Sequence, residues 1–212
     1  MGWTLEELEE RLLIGSTLVE GSTLSEEEAH QILRGRTVAG HPVREARELL
    51  NYRAATGWLL EKLTESPFVS LDLVIEYHHR LMQGLSDEAG RLKTRANYTL
   101  LADGSRSDYL HPAKVEEALR AWIDAFNHRA FPDWRDAAAE LYASFQQIHP
   151  FEDGNGRVGR ILLAYWLHWK QRLSFHFTAQ DKLEHLRALE ASDRGDLKPL
   201  ADFLVLRCKL EA

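Results

Sequence analysis

The stretch His149-Pro150-Phe151-Glu152-Asp153-Gly154-Asn155-Gly156-Arg157-Val158-Gly159-Arg160 joins two segments of helical apolar periodicity, about 136–148 before it and 155–170 from within it. Pro150 disfavours helical backbone at His149, so the first helix is expected to end there. Gly154 and Gly156 let the main chain approach a ligand with no Cβ in the way. The second helix starts inside the stretch, and its free N–H groups make the loop a ready anion site. Arg157 and Arg160 are three residues apart and can project from the first turn on one face. Two fixed guanidinium groups beside N–H donors suit a polyphosphate better than a single carboxylate. Asp153 is a hard oxygen ligand of the kind Mg²⁺ takes. His149 is the group here able to accept a proton near neutral pH. Phe151 is expected to anchor the loop in the core.

Helical periodicity extends outward from this stretch. Upstream, residues 5–20 carry Leu5, Leu8, Leu12 and Leu13 on one side and end before Gly21, placed as a C′ residue. Ser25-Glu26-Glu27-Glu28 is a capping box for a short helix that Gly35 closes. Pro42 is placed at N1 of a helix reaching Leu63, with Ala46, Leu49, Leu50, Ala54 and Leu60 as its apolar positions. Ser70 can cap a helix over 71–83 that Gly84 ends. Pro112 opens another, with Val115, Leu119, Trp122, Ile123 and Phe126 on one face, and two more cover roughly 181–193 and 197–210. Between 84 and 110 the pattern changes. Asp103-Gly104 between short β-prone runs predicts a hairpin, the one β element expected. The sequence thus predicts an all-α fold of about eight helices with one small β-hairpin, in a single domain over 1–212.

Composition narrows the function classes. The chain of 212 residues has room for one domain with a proper core. Lys and Arg number 26 against 33 Asp and Glu, a net charge of −7, which argues against a non-specific nucleic-acid binder but leaves room for a local basic pocket. Cys208 is the only cysteine, so neither an intrachain disulfide nor a Cys-based zinc cluster can form. Met1-Gly-Trp-Thr-Leu-Glu-Glu lacks the basic and apolar regions of a signal peptide, and Glu6 stands where a myristoylation signal at Gly2 wants Ser or Thr. The longest apolar run, 161–167, is far short of the roughly 20 residues of a membrane span. A cytoplasmic protein with no membrane or nucleic-acid partner is expected. His78-His79 lack the i, i+4 spacing of a helix-borne zinc pair. His41-Pro42 and His111-Pro112 read as helix starts, and the tryptophans as mostly core, with Trp3 and Trp134 at the surface.

A lone glycine-rich turn would be an ordinary interhelical loop. The specified residue types of 149–160 occurring together have a chance on the order of 10⁻¹⁰ per start position. The stretch resembles the signature loop of the Fic (filamentation induced by cAMP) family, H-P-F-x-[D/E]-G-N-G-R-x-x-R, with every specified position filled. Ala188-Leu189, Gly195-Asp196 and Pro199-Leu200 fall where such proteins often carry A-L, G-D and P-[LF]. The 97–110 hairpin lies where the family has its flap, so the resemblance covers most of the chain. It implies a mostly helical fold and transfer of AMP from ATP to a Ser, Thr or Tyr hydroxyl of a target protein. By the same resemblance His149 would deprotonate the attacking hydroxyl, and Asp153 would hold Mg²⁺ (or Mn²⁺) on the α- and β-phosphates. Gly154, Asn155 and Gly156 would form the anion cradle, with Arg157 and Arg160 on the outer phosphates. Asn97, Tyr98, Thr99 and Leu100 of the flap would hold the target segment by strand pairing. Dimers are common among similar proteins, so the resemblance admits a homodimer.

Ser16-Thr17-Leu18-Val19-Glu20-Gly21 resembles the family's inhibitory motif [S/T]-x-x-x-E-[G/N]. This divides the chain into an inhibitory region, 1–35, and a catalytic core, 36–212. A Glu20 carboxylate paired with Arg160 would take that arginine from the γ-phosphate and leave the α-phosphorus misaligned for attack. The chain departs from the family at His185, where an aromatic residue is frequent near the adenosine end, and at Asp193, where some relatives have Asn. Gly90-Arg91-Leu92-Lys93 replaces a common G-x-Y-R. Other readings keep the same loop: transfer of phosphate, UMP or phosphocholine, removal of AMP with the glutamate positioning a water, or a regulatory protein that binds nucleotide without turnover. The Gly156-Arg157 pair speaks against the phosphotransferase branch, and intact His149 and Asp153 speak against the last.

Overall fold

Helices α1 (Leu5–Leu8) and α2 (Ile14–Val19) occupy the stretch whose leucine spacing predicts one helix; the chain enters α2 through a wider π-type turn at Leu12 and Leu13. The computed structural model describes residues 4–8, 12–101, 103–129 and 132–210, with the side chain of Leu5 outside the description. Gly2 and Trp3, and the expectations attached to them, therefore lie outside the described residues. Leu8, Leu12 and Leu13 are buried, and Gly21 leaves α2 with φ +102°. In α3 (Glu26–Leu33) the capping box forms as predicted, Ser25 accepting from the Glu28 N–H while the Glu28 carboxylate accepts from that of Ser25.

Helix α4 (Val43–Glu65) has Pro42 at its N-cap instead of N1, so it begins one residue later than expected. Its buried stripe is Leu49, Tyr52, Ala55, Thr56, Leu59 and Leu63, whereas Leu50 and Ala54 face outward. Counting only aliphatic residues misplaces this face, because Tyr52 and Thr56 belong to it. Their hydroxyls find partners inside the protein, at Ser16 Oγ and Tyr77 Oη, both 3.3 Å away. Helix α5 (Leu71–Met82) starts on Ser70, whose side chain accepts from the Leu73 N–H at 3.1 Å.

Strands β1 (Tyr98–Leu100) and β2 (Arg106–Asp108) form the predicted hairpin, Tyr98 opposite Asp108 and Leu100 opposite Arg106. Helix α6 (Pro112–His128) buries all five of its predicted apolar residues, and the His111 side chain caps it. Helices α7 (Trp134–Ile148) and α8 (Asn155–Gln171) flank the loop. After α8 come β3 (Leu173–Phe175), a 3₁₀ turn at Ala179–Asp181, α9 (Lys182–Asp193), α10 (Lys198–Arg207) and β4 (Cys208–Leu210). The β3–β4 pair is a second small sheet that the sequence does not predict, and it shortens the helix expected over 197–210. Three-residue strands carry no usable period, and the pairing of Leu173 with Leu210 is fixed by tertiary contact.

Helix α8 is the hub. Residues 157–167 are buried without interruption, the pattern of a helix enclosed on all sides. Helices α4 to α7 and α10 contribute to the same apolar core, while Ile14, Leu24, Ala29, Ile32, Leu33 and Leu49 form a second cluster joining α2, α3 and α4. Trp134 is half-buried with Arg135 over its ring. Among the described residues, no helix is long and apolar enough to cross a membrane.

Candidate active site

His149 ends α7 in the left-handed conformation, φ 46° and ψ 62°, an unusual geometry for a residue with a Cβ. Pro150 behind it prevents the helix from continuing. The chain turns so that the imidazole Nδ1 donates to the Gln146 carbonyl at 3.2 Å, which leaves Nε2 with its lone pair. The ring is stacked on Tyr109 from the hairpin, centroids 3.7 Å apart and planes 7° apart. Burial lowers the His149 pKa to about 4, so the group is neutral and able to accept a proton at physiological pH.

The loop is closed by its own side chains. Asn155 Oδ1 accepts from the Phe151 N–H at 2.9 Å and Nδ2 donates to the Phe151 carbonyl at 2.8 Å. Both polar ends of Asn155 are thus engaged in loop closure, and its part in a cradle falls to its backbone. Phe151 is fully buried and lies flat on the His78 ring, 3.7 Å between centroids. His78 Nδ1 accepts from the Gly90 N–H at 3.0 Å, so Nε2 carries the proton and donates to the Asp153 carbonyl at 3.1 Å. Burial lowers the His78 pKa to about 4, consistent with this neutral tautomer. The sequence offered His78 only as half of an unsuitable zinc pair, and the structure makes it a strut of the loop.

Gly154 caps α8 with φ +80°, and the first N–H groups of the helix have no intrahelical acceptor. Arg157 is 2% exposed, yet its Nε and Nη1 have no hydrogen-bond partner, and the nearest carboxylates stand off at 3.7 Å (Asp153) and 3.8 Å (Glu48). A buried guanidinium with unpartnered nitrogens beside open helix N–H groups is matched to an incoming anion. Asp153 projects outward, its side chain 52% exposed. Among the described residues no three His, Cys, Asp or Glu side chains cluster to hold a metal. Asp153 is the exposed carboxylate of the loop that could serve a hard cation such as Mg²⁺ as an oxygen ligand.

Arg160, also 2% exposed, reaches the other way, to α2. Its Nε donates to Ser16 Oγ at 2.6 Å, and Nη2 donates to the Ser16 carbonyl at 3.3 Å and to the Glu20 carboxylate. Burial pushes the Glu20 carboxyl up, but Arg160 outweighs it and holds the group below its ordinary value. Burial opposes the charge of Arg160 too, and Glu20 raises that arginine above its ordinary value. A Cβ on Gly156 would strike the Glu20 carboxylate and crowd the Arg160 guanidinium, so the absence of a side chain at 156 leaves room for their contact. Tyr52 joins the assembly, its hydroxyl lying 3.3 Å from Ser16 Oγ and donating to the Arg157 carbonyl at 3.2 Å.

The hairpin stands on the other side of His149. The Leu110 N–H donates to the Gln147 carbonyl at 3.0 Å, tying the returning strand to the last turn of α7. Tyr98 and Leu100 are exposed, Thr99 half-buried. A cavity of about 350 Å³ lies between the hairpin and α9, lined by Thr99, Leu101, Tyr109, Gln146, Leu186 and Asp193 among others. His185 is not among its lining residues. It is buried against Phe177 and Phe203, with Nε2 2.9 Å from Tyr142 Oη.

Residues 68–167 match the Fic/DOC family. The chain is 30% identical over 193 residues to protein adenylyltransferase fic-1 of Caenorhabditis elegans, covering 88% of this chain and 37% of that protein. It therefore spans little more than a third of the length of this curated relative. Among solved structures, Fic-1 of Caenorhabditis elegans (residues 134–508) is similar with a TM-score of 0.81 and 25% identity, over 97% of this chain and 63% of that one. A Fic domain containing signaling protein from Bacteroides thetaiotaomicron shares the fold, with a TM-score of 0.82 and 22% identity, over 95% of this chain and 81% of the other.

Proposed function

Since the chain belongs to the Fic/DOC family, we propose that it transfers AMP from ATP to a hydroxyl side chain of a target protein, and that α2 holds this activity in check. The observation that carries the reading is the state of the two guanidinium groups at the head of α8. Arg157 is buried with unpartnered nitrogens, and Arg160 is occupied by an internal carboxylate lying over Gly156. A carboxylate in that place stands in for an anionic phosphate oxygen.

In the active arrangement the cradle and Arg157 bind the phosphates, and Arg160 receives the outermost one once Glu20 gives it up. Asp153 is the residue that would hold Mg²⁺, whose bound charge would help neutralise the phosphate oxygens. Neutral His149, its Nδ1 engaged by the Gln146 carbonyl, takes the proton of the target hydroxyl at Nε2. The hydroxyl oxygen attacks the α-phosphorus, and the bond to the β-phosphate oxygen breaks, releasing pyrophosphate. The exposed backbone edge of the hairpin is available to pair with an extended target segment. The cavity between the hairpin and α9 is the space offered to the nucleoside. With Glu20 on Arg160, ATP loses one of its phosphate contacts and the in-line geometry with it.

The test is to incubate Glu20→Gly protein with ATP labelled at the α- or the γ-position in a cell lysate. Label on protein from α-labelled ATP alone supports AMP transfer. Label from the γ-position would assign a phosphotransferase. Binding of ATP with neither label transferred would assign a nucleotide-binding regulator.

A further inference from the structure

Lys93 is 3% exposed although its segment forms neither helix nor strand. Its backbone N–H donates to the Pro150 carbonyl at 2.8 Å, fastening the approach to the hairpin against the loop beside His149. Its ammonium donates to Asn97 Oδ1 at 2.8 Å and stands 5.7 Å from the centre of the Tyr109 ring. Asn97 and Tyr109 are the two feet of the hairpin, joined by the Tyr109 N–H donating to the Asn97 carbonyl at 3.2 Å. One buried cation therefore touches both feet, and one of those feet is the ring stacked on His149.

Burying an ammonium costs free energy unless a close carboxylate compensates. Glu152 acts on Lys93 from the loop, but no ion pair joins them, and Glu152 lies 3.6 Å from Arg95. An apolar side chain of similar length would fill the space at lower cost. The ammonium is explained by what it holds in place.

We infer that Lys93 is a positioning residue that docks Tyr109, and with it the hairpin, on His149, so that hairpin and base keep one geometry. This rests on the reading of His149 as the proton acceptor. Burial also lowers the Lys93 pKa to about 8, while Glu152 opposes the shift. The groups that face it are Glu152 from the loop, Tyr109 from the hairpin and His149 at the end of α7. The hold on Tyr109 should therefore weaken as pH rises through about 8. An arginine at this position stays charged throughout.

The experiment uses the Glu20→Gly protein with isotope-labelled histidine, and the His149 ring signals are assigned through His149→Ala. Stacking on Tyr109 should displace those signals upfield. Lys93→Met should return them most of the way toward free imidazole, and Lys93→Arg should keep them displaced at pH 9, where the Lys93 protein loses the displacement. In transfer from α-labelled ATP, Lys93→Met should lower kcat about tenfold or more with KM for ATP nearly unchanged, and Lys93→Arg should restore kcat. His149 signals unmoved in a folded Lys93→Met protein overturn the inference, whatever the activity does. Signals that move as expected while no variant transfers AMP uphold the positioning role and refute the transferase reading instead.

Discussion

Removing the Glu20 carboxylate should destabilise the unliganded protein and strengthen its response to ATP in the same step. In Glu20→Gly, Arg160 keeps Ser16 Oγ at 2.6 Å, the Ser16 carbonyl at 3.3 Å and the Phe177 ring at 5.1 Å, but loses its carboxylate. Breaking a fully buried ion pair costs about 3–5 kcal/mol, and this one lies at the lower end because the Glu20 side chain is 28% exposed and partly screened by water, while Arg160 is buried. The retained donors and ring offset part of this, so a net loss of about 2–3 kcal/mol is expected, including a smaller contribution from glycine at the end of α2. For a chain of this size that is a fall of about 5–10 °C in Tm. Saturating Mg-ATP should recover most of it in the variant, because a phosphate replaces the missing anion, and should move the wild type much less. AMP transfer should rise at least tenfold, which requires about 1.4 kcal/mol of barrier, modest for a charge-assisted contact. Adding Arg160→Ala should remove both gains. Thermal unfolding with and without Mg-ATP, together with transfer from α-labelled ATP, measures all of this. A folded variant with wild-type Tm, wild-type response to ATP and wild-type labelling would show that Glu20 does not compete for Arg160.

His149→Ala should abolish transfer while a fluorescent ATP analogue still binds, because the phosphate contacts lie elsewhere; undiminished labelling would remove His149 from the chemistry. Asp153→Ala should stop turnover or raise the Mg²⁺ or Mn²⁺ concentration needed, and full activity in EDTA would contradict its role. Gly15→Ala should release the check with Glu20 intact, because its Cβ would come within 2.6 Å of Thr178 Cα and force α2 to move; a Tm raised by the better helix former, with unchanged labelling, would refute this. His78 and His149 have pKa values lowered to about 4 and His185 to about 3, all from an ordinary 6.5. The unfolded chain therefore binds more protons between these limits. Stability should be full above pH 6.5 and fall as pH drops toward 4, by about 1–3 kcal/mol per histidine, and urea unfolding that is flat between pH 7 and 4.5 would contradict it.

The loop was legible because each of its constraints is local. Pro150 forbids helix at His149, Gly154 permits the cap, and Arg157 and Arg160 follow from one helical turn. Spacing alone does not say where those two arginines point, although the resemblance of 16–21 to an inhibitory motif pairs Arg160 with Glu20, as the structure does. Both leave the same turn of α8, yet Arg157 faces the loop while Arg160 faces α2, where Ser16, more than 100 residues away in sequence, accepts from its Nε. His78 and Lys93 were invisible for the same reason, since their partners Gly90, Asp153, Pro150 and Tyr109 come together only in the fold. The face of α4 was misplaced because its stripe includes Tyr52 and Thr56, whose polar ends are paired inside the protein. The β3–β4 sheet had no local signal strong enough to interrupt the helical pattern over 197–210.

The contacts of α2 indicate how a check of this kind is set. The ion pair alone would leave a helix of six residues free to drift, since so short a helix has little stability of its own. Gly15 lets the helix backbone lie directly on the Phe177–Thr178 backbone, where any side chain would intrude. Ile14 enters the second apolar cluster with Leu24, Ile32 and Leu49, and Ser16 is within hydrogen-bonding reach of Tyr52. These contacts do not involve the Glu20 side chain. Rotating that side chain off Arg160 exchanges one charged contact and leaves the packing in place. Lifting α2 as a whole would expose Ile14 and strip Arg160 of Ser16 as well as Glu20. The smaller rearrangement costs less free energy, so α2 is expected to stay docked in the active form, with the Glu20 carboxylate as the part that yields.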